Sequence, residues 1–289
     1  MSGGGAEVIE REGWRFYPSW ANADDGALEP LIAIALAAAN GRCGPLIRRS
    51  QRATTYRANI PPNAAGEFIV KVLDRPRGAD ALKQIWRGPR AAHVARVTAQ
   101  LNAAGFGAPA VLIHGVERDG GRELIVMERA AGDGPFRALE AVARAPAHKQ
   151  ALMRALGAEI ARMHRAGFVH GDLTPYNMFV VRGEPPGFVF VDHERTRRSF
   201  FIGRYRRQLR NLVQLGRFDL PGVSRSDRMR ALHAYASELG WQNGRSFQYG
   251  RSWQHGRSWR ALRRRVAAMI GRRLARDRFE SAGSSRGGE

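Results

Sequence analysis

Apolar positions along the chain repeat with two periods, two in one set of segments and about 3.6 in another. Glu67 to Leu73 (E-F-I-V-K-V-L) and Glu123 to Met127 (E-L-I-V-M) are short apolar runs of β type, and Gly187 to Val191 (G-F-V-F-V) is a third. Ala147 to Arg165 instead carries Leu152, Leu156, Ile160 and Met163 on one stripe, which predicts a helix. A further helix is predicted from Ala27 to Ala39, ended by Asn40-Gly41, and a helical stretch after Lys71 is broken at Gly88-Pro89 and stopped by Gly105. Ala261 to Phe279 again has helical spacing, with Leu262, Val266, Met269, Ile270 and Leu274 on one face. Most of its arginines lie elsewhere, although Arg273 intrudes on the apolar side. A β-rich first part followed by a mainly helical second part is an α+β pattern.

Two interruptions of these patterns carry chemistry. Lys71 stands inside an apolar strand and by alternation shares a face with Ile69 and Leu73. The chain has only three lysines (Lys71, Lys83, Lys149) against 44 arginines. A lysine there either reaches solvent along its stem or supplies a compact point charge to a phosphate, which a planar guanidinium does not reproduce. The second interruption is Phe168 to Val180 (F-V-H-G-D-L-T-P-Y-N-M-F-V), where Asp172 precedes Asn177 by five positions. Pro175 fixes its own φ and keeps Thr174 extended, so the turn sets the distance between the two polar groups. Phosphoryl transfer to a hydroxyl needs a carboxylate to take the proton and an amide oxygen to help hold magnesium, and Asp172 and Asn177 match those needs. The strand ending at Val191 delivers Asp192, a second candidate metal carboxylate. His170 and His164 read as hydrogen-bonding and packing residues, and no His/Cys cluster suggests zinc.

These residues resemble the kinase-like superfamily, through H-G-D-L-x-x-x-N, the strand lysine and the strand-end aspartate. Within it the chain is similar to the bacterial lipopolysaccharide-core kinases that phosphorylate Kdo or heptose. Three features carry that likeness: the Arg-Thr-rich hairpin Arg48 to Ala58 in place of a glycine-rich loop, the run Val191 to Arg197 (V-D-H-E-R-T-R), and Arg210 to Leu215 (R-N-L-V-Q-L) on a following helix. The resemblance covers about residues 46 to 220. It implies a two-lobed protein-kinase-like fold, with ATP and Mg2+ as cofactors. It also implies Asp172 and Lys71 as catalytic residues, and Asn177 and Asp192 as metal ligands. Lys71, Ser50, Thr54, Thr55 and Glu128 would contact the nucleotide, Glu128 and its neighbours through the backbone at adenine.

The chain departs from the broad kinase pattern at three places. His193-Glu194 follows Asp192 where protein kinases have Phe-Gly, and no G-x-G-x-x-G precedes Lys71. Ala79 to Ala104 contains Asp80 but no Glu to pair with Lys71, so Asp80 or another acid would have to substitute. A small-molecule phosphotransferase of the aminoglycoside or choline type, or a nucleotide-binding pseudokinase, remains an alternative.

Charge and composition narrow the partners. The 289 residues carry a net charge of +21, and such a surface seeks anions, nucleic acid, anionic lipid and a phosphorylated glycolipid alike; the resemblance implies lipopolysaccharide or another lipid-linked sugar as acceptor, met at an anionic membrane surface. Nothing resembles a DNA- or RNA-reading motif, which argues against nucleic acid. The oligomeric state is not legible. A single cysteine, Cys43, and an acidic N-terminus unlike a secretory leader point to a reducing compartment, and the resemblance implies a cytoplasmic location, peripheral at the inner membrane. Gly244 to Arg260 is a six-residue repeat placing an arginine and an aromatic (Phe247, Trp253, Trp259) in each copy. The basic helix beyond it either lies on a membrane or packs on the helical part. Residues 281–289 read as disordered. The expected organisation is an N-terminal extension (1–45), a small lobe (46–131), a large catalytic lobe (132–240) and a basic tail (241–289).

Overall fold

The structure, a computed structural model, describes residues 8–19, 25–59, 67–75, 78, 88–119, 121–198, 204–241 and 259–284. Asp80, Lys83 and most of the Gly-Arg-Ser repeat (242–258) lie outside the described residues, as do the first seven residues and 285–289. The chain divides into two compact units, Met1–Ala130 and Ala131–Glu289.

The first unit is built on one antiparallel sheet. Its strands are β1 (Ile9–Arg11), β2 (Trp14–Pro18), β3 (Leu46–Arg49), β4 (Ala53–Asn59), β5 (Glu67–Leu73), β6 (Val111–Glu117) and β7 (Glu123–Glu128), in the order β1-β2-β6-β7-β5-β4-β3. Alternation sends the side chains of each strand to two faces, and each face is covered by a helix. Helix α1 (Asp25–Ala39) lays Leu28, Leu31, Ile32 and Ala35 against Phe16, Phe68, Val70, Val72, Leu124 and Val126. Helix α2 (Arg90–Ala103) lays Ala91 and Val94 against Ala53, Leu73, Val111 and Ile125. Glu123, 1% exposed, holds α2 in place by accepting the Ala91 N–H at 2.7 Å. Residues 9–18 and 25–39, set apart in the sequence as an extension, lie inside this unit, because Trp14, Phe16 and the apolar stripe of α1 bury themselves in its core.

The second unit is mainly helical. It contains α3 (Pro135–Ala141), α4 (Pro146–Arg165), β8 (Phe168–Val169), β9 (Met178–Val181), β10 (Gly187–Phe190), β11 (Arg197–Arg198), α5 (Arg204–Gly216), α6 (Arg225–Glu238) and α7 (Trp259–Ser284). The α6 N-terminus is closed by a reciprocal capping box between Ser224 and Asp227. Burial alone would raise the Asp227 carboxyl, but hydrogen bonds from Ser224 and the Lys149 ammonium at 3.1 Å hold it down to about 2. Its depressed value contributes stability above pH ~3.9 that is lost as pH falls through about 2.

Of the two placements open for the basic terminal helix, its first half takes the packed one. Leu262 and Val266 are buried, Ile270 reaches Gly216 of α5, and the Arg265 guanidinium lies 5.8 Å from the Tyr205 ring. Trp241 is also buried, edge-on to Tyr205 and Tyr235. Removing residues 241–289 would therefore strip core contacts as well as charge. The helix also continues to Ser284, past the start of the segment read as disordered.

Helices α4 and α6 meet at Gly157, where an added Cβ would stand 1.9 Å from the Ala231 carbonyl oxygen. Gly157→Ala is expected to lower the unfolding free energy by about 2–3 kcal/mol, because backbone and not a flexible side chain must give way. Urea unfolding followed by circular dichroism measures it.

Candidate active site

The segment 167–177 is fixed before any ligand arrives. Gly167 (φ +91°) turns the chain out of α4 into β8, which pairs with β11. Gly171 follows at φ +77°, and a Cβ there would stand 2.3 Å from the Arg195 carbonyl oxygen, so the position requires glycine. Leu173 is fully buried beneath the loop. Thr174 is extended before Pro175, and Pro175–Asn177 make one 3-10 turn. The Asp172 carbonyl accepts the Thr174 N–H and the Asn177 Nδ2–H, both at 2.9 Å. That second bond commits the amide nitrogen of Asn177, so Oδ1 is the atom it offers to a cation.

Asp192 stands at the same end of the β9–β10 hairpin as Asn177. Met178 pairs with Phe190, and the Val191 N–H donates to the Asn177 carbonyl at 3.0 Å. Its backbone is left-handed (φ 66°, ψ 59°). A non-glycine residue held there stores strain that the surroundings must over-determine, as happens at functional sites.

Beneath the loop lies a buried polar chain. His170 donates its Nε2–H to the Val191 carbonyl at 2.9 Å, and burial pushes its imidazole down and keeps it neutral. Its backbone N–H donates to Asn211 Oδ1 at 3.1 Å, and its carbonyl accepts the Thr196 hydroxyl at 3.0 Å. Asn211 Oδ1 also accepts from His164 Nε2 at 3.1 Å, while His164 Nδ1 meets the Tyr235 hydroxyl at 2.9 Å. Asn211 Nδ2 donates to Gln214 Oε1 at 3.3 Å. Gln214 Nε2 in turn donates to the Gly171 carbonyl at 3.2 Å and to Asp172 Oδ1 at 3.3 Å. The chain of contacts thus runs from α6 through α4 and α5 to the carboxylate of Asp172. The sequence flagged Asn211 and Gln214 only as part of a family-like helix; their spacing of three, which puts both on one face, was the available signal.

The remaining candidates belong to the first unit. Paired residues share a face, and one cross-strand row reads Arg48, Thr55, Lys71, Ile125. Thr54 pairs with Val72 and lies on the α1 side, so the structure separates it from Lys71. Ser50 spends its hydroxyl closing the β3–β4 turn, donating to the Ala53 carbonyl and accepting the Ala53 N–H, both at 3.1 Å. Glu128 is exposed, and its N–H donates to the Ala110 carbonyl at 2.9 Å, which leaves its carbonyl as the group to offer a base. Arg48 was missed because three neighbouring arginines look alike until the register sorts them by face.

Among the described residues no group of three or more His, Cys, Asp or Glu converges to hold a metal. Asn177 Oδ1 and the Asp192 carboxylate are both oxygen donors, and a magnesium ion takes only one or two carboxylates when phosphates and water complete its shell. The residues therefore fit a phosphate-bound magnesium. A separate open groove on α4 and α6, lined by Ala155, Met229 and His233, includes none of His170, Asp172, Asn177 or Asp192.

Gln214→Leu is expected to lower kcat for phosphoryl transfer about tenfold with the KM for ATP unchanged, since Asp172 loses the donor that orients it. Gln214→Glu should move the acid limb of the kcat–pH profile upward, because a second carboxylate disfavours ionisation of the first. A purely structural role would lower activity without moving that limb.

The family described as lipopolysaccharide kinase (Kdo/WaaP) matches residues 76–235, more than half of the chain. A solved structure described as "WaaP in complex with acyl carrier protein" superposes with a TM-score of 0.57 at 18% identity, over 86% of this chain and 96% of that one, which shows the fold. A curated protein of Methanothermobacter thermautotrophicus, a "Probable bifunctional tRNA threonylcarbamoyladenosine biosynthesis protein", is 32% identical over 131 residues. That alignment takes in 45% of this chain and 20% of the archaeal one, so the chain spans about a fifth of that relative's length. With the family model matched over more than half of the chain and the protein-kinase-like fold matched over 86% of it, the protein belongs to the lipopolysaccharide kinase (Kdo/WaaP) family.

Proposed function

We propose that this kinase phosphorylates a hydroxyl of Kdo or heptose, working at the cytoplasmic face of the inner membrane with magnesium-bound ATP. The observation that carries the reading is the pinned loop, in which Asp172 is oriented by Gln214 while Asn177 is tied to the Asp172 carbonyl and stands beside Val191-Asp192. Asp172 accepts the proton of the sugar hydroxyl as its oxygen bonds to the γ-phosphorus. The bond from that phosphorus to the β–γ bridging oxygen breaks, and ADP leaves with the electron pair. A divalent cation bound by Asn177 and Asp192 would neutralise the developing phosphate charge. Lys71 and Arg48 supply positive charge, and Thr55 a hydroxyl, from one face of the sheet to the remaining phosphate oxygens. The backbone at Glu128 and after it receives adenine.

The arginine excess suits an acceptor rich in phosphates and carboxylates, and fits a cationic small-molecule acceptor poorly. No helix among the described residues is long and apolar enough to cross a membrane, so the lipid-borne acceptor would be met at the surface.

Transfer of the ATP γ-phosphate to purified lipopolysaccharide core tests the assignment. Asp172→Ala should cost more than about a hundredfold in rate while nucleotide binding survives. Asp192→Ala should also weaken the magnesium dependence of nucleotide binding. Lys71→Arg should fail nearly as badly as Lys71→Ala, since the fork cannot replace the compact ammonium. Arg48→Ala should raise the KM for ATP severalfold and Arg49→Ala, paired on the opposite face, should not. Equal behaviour of those last two variants would contradict the phosphate-facing row.

A further inference from the structure

Two of the large apolar side chains exposed among the described residues are neighbours in the chain, Leu46 at 56% and Ile47 at 54%. They open β3, which is an edge strand of the sheet, and Ile47 falls in the register shift between Leu46 and Arg48. An uncovered strand edge is a liability that charges usually guard. Here the guards are arginines alone. Arg42, Arg48, Arg49 and Arg52 are all exposed, and no Asp or Glu occurs between Glu29 and Glu67.

An apolar pair flanked on both sides by guanidinium groups has the chemistry of a surface that meets phosphates above and hydrocarbon below. We propose that the β3 edge docks on an anionic phospholipid bilayer, Leu46 and Ile47 entering the acyl boundary while Arg42 and Arg49 bind headgroup phosphates. Long arginine stems let the charged heads stay at the phosphate level while the two apolar side chains go deeper. Leu46 pairs with Tyr56 and Arg49 with Thr54, on the face of the sheet covered by α1. Lys71 lies on the other face. Docking through this edge therefore leaves the lysine face open to a nucleotide. A second copy pairing along the same edge would bring the arginines of both chains together, which disfavours it. The inference rests on the reading that the acceptor is carried by a membrane, and it assigns that encounter to this edge, whereas the apolar stripe of α7 is largely spent on α5.

The test is flotation of the full chain with vesicles of phosphatidylglycerol and phosphatidylcholine, against phosphatidylcholine alone. The wild type should float with the anionic vesicles only. Leu46→Asp combined with Ile47→Asp should lower partitioning about tenfold or more while phosphorylation of a soluble core oligosaccharide is unchanged. Arg42→Glu combined with Arg49→Glu should also release the protein, with the apolar pair intact. Independently, Ile47→Trp should shift its fluorescence to the blue on adding anionic vesicles. Equal flotation of the Asp variant and the wild type would overturn the proposal, placing the membrane contact elsewhere. A wild type that never floats yet phosphorylates the soluble oligosaccharide would overturn it while leaving the kinase reading intact. So would a wild-type dimer that the Asp variant converts to monomer. Absence of phosphorylation in every form, with flotation as expected, would instead contradict the functional assignment and leave the docking edge standing.

Discussion

One carboxamide oxygen, Oδ1 of Asn211, accepts hydrogen bonds from the His170 backbone and from the His164 ring, and Asn211 as a whole is only 1% exposed. Both donors would be stranded without it, and an unmet buried donor costs about 1–3 kcal/mol. Through that atom the helices α4 and α5 and the loop become one object. The other end of the same amide points to Gln214, and Gln214 points to Asp172, so the group proposed to take the acceptor's proton is positioned by the packing of the helical core. The low dielectric around these groups makes the network rigid when complete and costly when broken.

The loop itself shows what such anchoring permits. Asp192 keeps a left-handed backbone, and Gly171 approaches the Arg195 carbonyl more closely than any side chain would allow. Strained or crowded positions persist only where neighbours leave no alternative. His170, His193 and Thr196 supply those neighbours, buried together and bonded to the carbonyls of Val191, Phe190 and His170. The histidines act as struts. Burial keeps His170 from becoming charged, which suits a hydrogen-bonding role.

Much of this was legible in the sequence because local physics dictated it. The strand Glu67–Leu73 has the predicted bounds, Lys71 takes the predicted face, and Pro175 shapes the loop as its fixed φ requires. What stayed hidden depended on register. Thr54 and Thr55 are equivalent in composition, yet pairing with β5 sends one to α1 and the other to Lys71. Ser50 looked like a phosphate donor until its hydroxyl was found closing the turn. The N-terminal 45 residues read as an addition because β1 and β2 are short and β2 pairs with β6, a hundred positions further on, which no local pattern reveals. The first half of α7 lies on α5 because Gly216 leaves room for Ile270, a complementarity between segments that neither shows alone.

The central claim is that the pinned Asp172 loop transfers phosphate to a sugar of the lipopolysaccharide core. Mass spectrometry of lipopolysaccharide from cells lacking the protein, and from the same cells carrying either the wild type or Asp172→Asn, tests it most directly. The account predicts that one phosphate on Kdo or heptose disappears in the deletion, returns with the wild type and does not return with the Asn form. An unchanged phosphate profile in the deletion, or full restoration by Asp172→Asn, would contradict it.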